Sequence, residues 1–136
     1  MSDCLFCKII NKELPADVMY EDERFLVILD KFPAAFGHVL ILPKAHYENI
    51  YDLGEAEQAA IMPLAAKLAK ALKETLGLEG LNVLQNNGKL AGQVVFHYHL
   101  HLVPRADNDG VKIGWTPSGY DDDKIKGLIS KIKDIL

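Results

Sequence analysis

The chain has 136 residues, 49% apolar and 25% charged, with fifteen Lys and Arg against nineteen Asp and Glu. That length suits one domain, that composition excludes wholesale disorder, and a net charge of −4 argues against a nucleic-acid grip built on broad positive charge. No apolar run approaches the roughly 20 residues that span a bilayer, and Met1-Ser2-Asp3-Cys4 lacks the basic and apolar regions of a signal peptide, so a soluble cytoplasmic protein is expected.

In chain order, Leu5 to Leu14 reads as a short helix stopped by Pro15, because proline steers the residue before it away from helical backbone. Val18–Glu21 and Phe25–Asp30 read as strands, the second almost continuously apolar, with Asp22-Glu23-Arg24 as the turn between them. His38–Leu42 is a further apolar strand between Gly37 and Pro43. Glu55–Leu76 carries Ile61, Leu64, Ala65, Leu68 and Leu72 at helical spacing, which makes one apolar face, and Gly77 suits a left-handed helix end. Pro63 is expected to kink that helix or delay its start. Leu81–Gln85 and Val94–Val103 read as strands joined by the turn Asn86-Asn87-Gly88. Asp121–Leu136 closes the chain as a helix with an acidic start and an apolar face of Ile125, Leu128, Ile129 and Ile132. Hairpin-like strand pairs segregated from helices indicate an α+β fold. Its sheet is mostly antiparallel, of about five strands, with one long helix and a C-terminal helix.

The scarce residues carry the chemistry. Phe96 to Val103 alternates with period two, so His97, His99 and His101 share one face and Tyr98, Leu100 and Leu102 the other. Three imidazoles about 7 Å apart are a surface-facing polar stripe, metal ligands, or a nucleophile with neighbours that orient it and move protons. Ser2, Ser118 and Ser130 all lie away from this strand in sequence, so histidine is itself the candidate nucleophile. Imidazole attack suits phosphorus, because a phosphoramidate intermediate is readily hydrolysed. Cys4-x-x-Cys7 is compatible with redox chemistry, a metal, or two unpaired small core cysteines. No βαβ pattern follows it, which weighs against a thioredoxin-like reading, and a closed zinc site needs two further ligands.

His97-x-His99-x-His101 between apolar residues resembles the motif of the histidine-triad (HIT) proteins. The similarity extends to Phe6-x-Lys8-Ile9-Ile10, Pro15-Ala16, Tyr20-Glu21-Asp22, Asp30, Gly37-His38, Pro43-Lys44-x-His46, Asn86 and Gly92-Gln93, in the family's order. The chain is most similar to the Hint-like branch in its bacterial form. That likeness implies a single HIT-like domain over 1–136, with a core of about 4–105 and a C-terminal extension over 106–136. It further implies a nucleotidyl hydrolase or transferase that cleaves a nucleoside 5'-monophosphate, a purine nucleotide, from a leaving group, as in phosphoramidate hydrolysis. On this resemblance His99 attacks the α-phosphorus, His101 and Gln93 contact phosphate oxygens, and His38 joins the proton network. Asp30 accepts from the ribose hydroxyls, Asn86 lines the phosphate site, and Phe6, Leu14 and Leu29 pack around the purine. A carboxylate suits two hydroxyl donors, and imidazolium or amide donors suit charge on phosphate. Phe6, Leu14 and Leu29 are equally the composition of an ordinary core.

The resemblance also implies structural zinc on Cys4, Cys7, His46 and His97, which holds the first triad histidine and leaves His99 free to react. It implies a twofold homodimer with a nucleotide as the bound partner, and nothing in the sequence points to an organic cofactor, nucleic acid or membrane. Val94 stands where many Hint-like proteins carry a serine that helps the leaving group, and Ala91-Gly92 reduces a glycine pair. Leaving-group preference is therefore open. The alternatives are a dinucleoside polyphosphate hydrolase using the same histidine, and a nucleotide-binding sensor or scaffold with incidental turnover. The segment Lys112–Pro117 is expected near a partner's active site by resemblance, or as a surface connection with Trp115 tucked onto the fold.

Overall fold

The computed structural model describes residues 3–136. In chain order it contains α1 (Leu5–Ile10), β1 (Val18–Glu21), β2 (Phe25–Leu29), β3 (Val39–Pro43), α2 (Glu55–Leu76), β4 (Gly80–Leu84), β5 (Leu100–Arg105) and α3 (Asp122–Ile135). The strands form one antiparallel sheet in the order β1-β2-β3-β5-β4, the α+β arrangement expected from the sequence.

β2 and β3 are apolar at every position because the sheet is covered on both faces. Phe25, Val27, Val39 and Ile41 point to one side, where they pack with Ile61, Ala65, Leu68 and Leu72 of α2. Leu26, Ile28, Leu40 and Leu42 point to the other, against Phe6 of α1. On β5, Leu100 and Leu102 join the α2 side. His101, paired with Leu40 across the ladder, therefore turns to the α1 side. Gly37, at φ +85°, turns the chain into β3 where a Cβ would come within 3.0 Å of Leu76.

Several expectations shift. α1 ends at Ile10 rather than Leu14, because Lys12 takes φ +63° and the Glu13 N–H returns to the Lys8 carbonyl at 2.8 Å. Pro63 sits inside an unbroken α2. It and Ala59, whose carbonyl it leaves without a helical donor, are both exposed, so water takes the lost bond. β2 ends at Leu29, and β3 and β4 are displaced by one residue from the expected bounds.

The expected strand from Val94 begins only at Leu100. The Tyr98 N–H donates to the Tyr47 carbonyl at 2.6 Å instead of joining the ladder. β4 and β5 are thus linked by a long connection containing a 3₁₀ turn, Lys89–Ala91, not by a tight Asn-Asn-Gly hairpin. Asn87 serves that connection through its side chain, accepting from the Ile50 N–H at 2.7 Å and from Gln85 at 2.8 Å. After β5, residues 112–124 are exposed throughout, and Trp115, 87% exposed, is not tucked onto its own chain. No helix among the described residues is long and apolar enough to cross a membrane.

Candidate active site and metal cluster

The chemistry of the histidine row is decided by what each ring donates to. His99 Nδ1 lies 2.7 Å from the His97 carbonyl oxygen, which can only accept, so Nδ1 carries the proton and Nε2 keeps its lone pair. His97 has the opposite tautomer. Its Nε2–H donates to the Pro43 carbonyl at 2.8 Å, and Nδ1 is left bare. At His38 the Ala34 N–H donates to Nδ1 at 3.0 Å, which puts the proton on Nε2. That proton is directed at His101 Nδ1, 2.9 Å away, with Asp30 Oδ2 3.6 Å from His38 Nε2. His101 therefore holds its own proton on Nε2. Burial lowers the affinity of all four rings for a second proton, His97 and His101 to a pKa of about 4. A neutral His99 with a free Nε2 is a nucleophile in its reactive form.

The bare Nδ1 of His97 meets Cys4 Sγ and Cys7 Sγ at 3.5 Å each and His46 Nδ1 at 3.1 Å. His46 Nδ1 lies 3.4 Å from Cys7 Sγ. The four ligand atoms all fall within 4.8 Å of one another, close enough to hold a metal ion. α1 builds this cluster: Cys4 caps the helix, accepting from the Cys7 N–H at 3.4 Å, and Cys7 follows one turn later. Burial, with the Cys4 thiol beside it, pushes the Cys7 thiol up to about 11, so a bound cation displaces a proton there. Asp30, His38 and His101 also lie within 4.8 Å of one another. There the Ala34 N–H fills the His38 Nδ1 lone pair and a proton lies between the rings, so the trio is a proton-linked chain.

Between these groups opens a cleft of about 470 Å³. Phe6, Leu14 and Leu29 line it together with Asp30, Asn86, His99 and His101. Phe6 stands edge-on to both triad rings, 6.0 Å from His97 and 5.0 Å from His99. Val94, 85% exposed, forms part of the rim. His38 is set behind His101. Like His38, Gln93 does not line the cleft. Its side chain is 3% exposed, accepts from the Gly88 N–H at 2.8 Å, and donates to the Glu48 and Val95 carbonyls at 2.6 and 3.2 Å. With oxygen and nitrogen both engaged, it braces the β4–β5 connection. Asp30 Oδ1 is likewise engaged, by the Phe32 N–H at 2.9 Å.

The groups that sequence reasoning missed are mainly backbone. The Pro43 carbonyl and Ala34 N–H fix two tautomers yet have no side-chain signature. Ile9, Ile28 and Leu40 in the cleft wall read from sequence as core.

Residues 11–108 match the family described as HIT domain. An adenosine 5'-monophosphoramidase of Candida albicans is 41% identical over 140 aligned positions, covering 99% of this chain and 92% of the relative. A crystal structure of a histidine triad nucleotide-binding protein from Candida albicans superposes with a TM-score of 0.88 at 40% identity, over 97% of this chain and 96% of that one. A HIT family protein from Bacillus anthracis reaches 0.91 at 37% identity, over 98% and 97%. Residues 1–105 are just over three quarters of the chain, so a score that high requires residues 106–136 to superpose as well. With a three-histidine row on β5 and its approach, and this extent of likeness, the chain belongs to the HIT domain family.

Proposed function

We propose that this chain is a nucleotidyl hydrolase that passes a nucleoside 5'-monophosphate through His99. The observation that carries the reading is the His99 Nδ1–H bond to the His97 carbonyl, which leaves Nε2 free in an apolar cleft that also presents Asp30 and His101. His99 Nε2 attacks the α-phosphorus, and the bond to the leaving group breaks with its electron pair. Positive charge then develops on the His99 ring, where the His97 carbonyl stabilises the retained Nδ1 proton. His101 Nε2–H donates to a phosphoryl oxygen, held in that tautomer by His38 and Ala34. Water next attacks the nucleotidyl-histidine, releasing the monophosphate and restoring His99. Asp30 accepts from the ribose, Asn86 lines the phosphate end, and Phe6, Leu14 and Leu29 sandwich the purine. Gln93 acts through the loop it braces. Adenosine 5'-monophosphoramidase is the name of the relative from Candida albicans, and nucleoside phosphoramidates are the first substrates to try.

Zinc is the metal that Cys4, Cys7, His46 and His97 suit. Tetrahedral zinc holds nitrogen ligands about 3.3 Å apart and nitrogen–sulfur pairs about 3.5 Å apart, and the four residues present 3.1 Å and 3.4–3.5 Å. Bound there, it would act as a structural clamp between α1 and the approach to β5, with no open position for substrate. The unit is a twofold homodimer in the cytoplasm, where two unpaired thiols, Cys4 and Cys7, stay reduced. A panel of nucleoside phosphoramidates, adenylylated lysine and dinucleoside polyphosphates, assayed with wild type and His99→Asn, tests the reading. Turnover that survives undiminished in the variant contradicts it.

A further inference from the structure

The cleft is apolar along most of its wall, and its polar side chains are Asp30, Lys31, Asn86, His99 and His101. On the reading above, His99, His101 and Asn86 serve the phosphate and Asp30 serves the ribose, which leaves Lys31 without a task. The backbone on either side of it is fixed. The Asp30 N–H donates to the His38 carbonyl at 2.9 Å, and the Phe32 N–H donates to Asp30 Oδ1 at 2.9 Å. Lys31 itself is exposed, and no ion pair among the described residues engages its ammonium.

A purine held between Phe6, Leu14 and Leu29 sets apolar faces against apolar groups, but its edge carries polar atoms that lose water there. The two common purines differ on that edge. Guanine offers two acceptors, N7 and O6, whereas adenine offers N7 beside a 6-amino group that donates. An ammonium has three donors and no acceptor, so it pairs with both guanine atoms and meets a like donor at position 6 of adenine. Lys31 adjoins the residue that takes the ribose, and the base is bonded to that same sugar. A flexible four-carbon stem covers the remaining distance.

We infer that Lys31 selects the base, its ammonium donating to O6 and N7 of a 6-oxopurine, so that guanosine and inosine nucleotides bind in preference to adenosine nucleotides. This deepens the nucleotide reading proposed above and rests on it.

Calorimetric titration of guanosine, inosine and adenosine 5'-monophosphates into the full chain tests it. The guanosine and inosine nucleotides are expected to bind at least about fivefold tighter than the adenosine nucleotide. Lys31→Met should bring that ratio close to one, and Lys31→Arg, which keeps a cation that only donates, should retain it. Equal affinities in the wild-type chain overturn the inference and leave the nucleotide reading standing. Inosine monophosphate that binds as weakly as the adenosine nucleotide also overturns it, because the 2-amino group of guanine then sets the preference. A Lys31→Met chain that loses affinity for all three equally does the same, since the ammonium then meets the sugar or phosphate they share. Binding of none of the three overturns both readings. The expected preference without turnover of guanosine phosphoramidate supports the role of Lys31 and contradicts the hydrolase alone. The wild-type comparison needs no variant to fold.

Discussion

The main-chain carbonyl of His97 accepts the Nδ1 proton of His99 across 2.7 Å, joining a candidate metal ligand to the candidate nucleophile. The His97 ring is itself fixed, by the Pro43 carbonyl on one nitrogen and by the Cys4, Cys7 and His46 cluster on the other. Holding that ring holds the carbonyl, and the carbonyl sets which nitrogen of His99 is free to react. The candidate metal cluster and the cleft are thus one construction, with Phe6 edge-on to the His97 and His99 rings.

Replacing His99 with asparagine removes the nucleophile with little change in volume. Turnover should fall by at least about 10³-fold, while nucleotide binding measured by calorimetry persists, because Asp30 and the apolar wall are untouched. Loss of both together would mean that His99 is needed for binding rather than for chemistry.

Stripping the metal, by chelation or by Cys7→Ser, should destabilise the fold. Metal at a thousandfold excess over its dissociation constant contributes about 4 kcal/mol, so a fall of about 10 °C or more in Tm is expected for a domain of this size. Nucleotide affinity should weaken as well, since Phe6 and Ile9 lie on the helix that Cys4 and Cys7 anchor. A chain with unchanged Tm and less than stoichiometric zinc after native purification contradicts the clamp.

Periodicity made much of this fold legible. Alternation along β5 and its approach placed His99 and His101 opposite Leu100 and Leu102, and the three-and-four spacing of α2 named the residues it buries. Val94 to Val103 reads in sequence as one alternating run, which predicts a strand start earlier than Leu100. Residues 95–99 keep a useful orientation, but their partners are Tyr47 and Pro43 rather than a neighbouring strand, and no local pattern announces a long-range tether. The contacts of Gln93 are illegible in the sequence for a related reason. An amide is as able to brace three backbone groups as to meet a phosphate, and only the path of the connection decides between them.

Stability should depend on pH through His101. Burial, with His99 and His38 beside it, lowers its pKa from 6.5 to about 4. The unfolded chain therefore binds more protons between those values, so stability is level above about pH 6.5 and falls as pH drops toward 4. Urea midpoints across that range should decline less steeply in His101→Asn than in wild type. Equal slopes would show that the ring does not carry the effect.

Glu57 is a buried charge outside the cleft, accepting from Arg24 at 2.9 Å and from the Tyr47 hydroxyl at 3.1 Å. Glu57→Ala leaves the Tyr47 hydroxyl unpaired at the start of α2 and should cost about 2 kcal/mol. Arg24→Ala should cost less than about 1 kcal/mol, because the Arg24 side chain is 46% exposed and water replaces it. Equilibrium urea unfolding of the two variants checks the order, and a larger loss from Arg24→Ala would reverse the assignment.

The most direct measurement is a single-turnover reaction with a nucleoside phosphoramidate, quenched in base and mapped by peptide mass spectrometry. A nucleoside monophosphate adduct confined to His99, absent from His99→Asn, is the predicted result. An adduct on another residue, or hydrolysis by His99→Asn at the wild-type rate, would contradict covalent catalysis by His99.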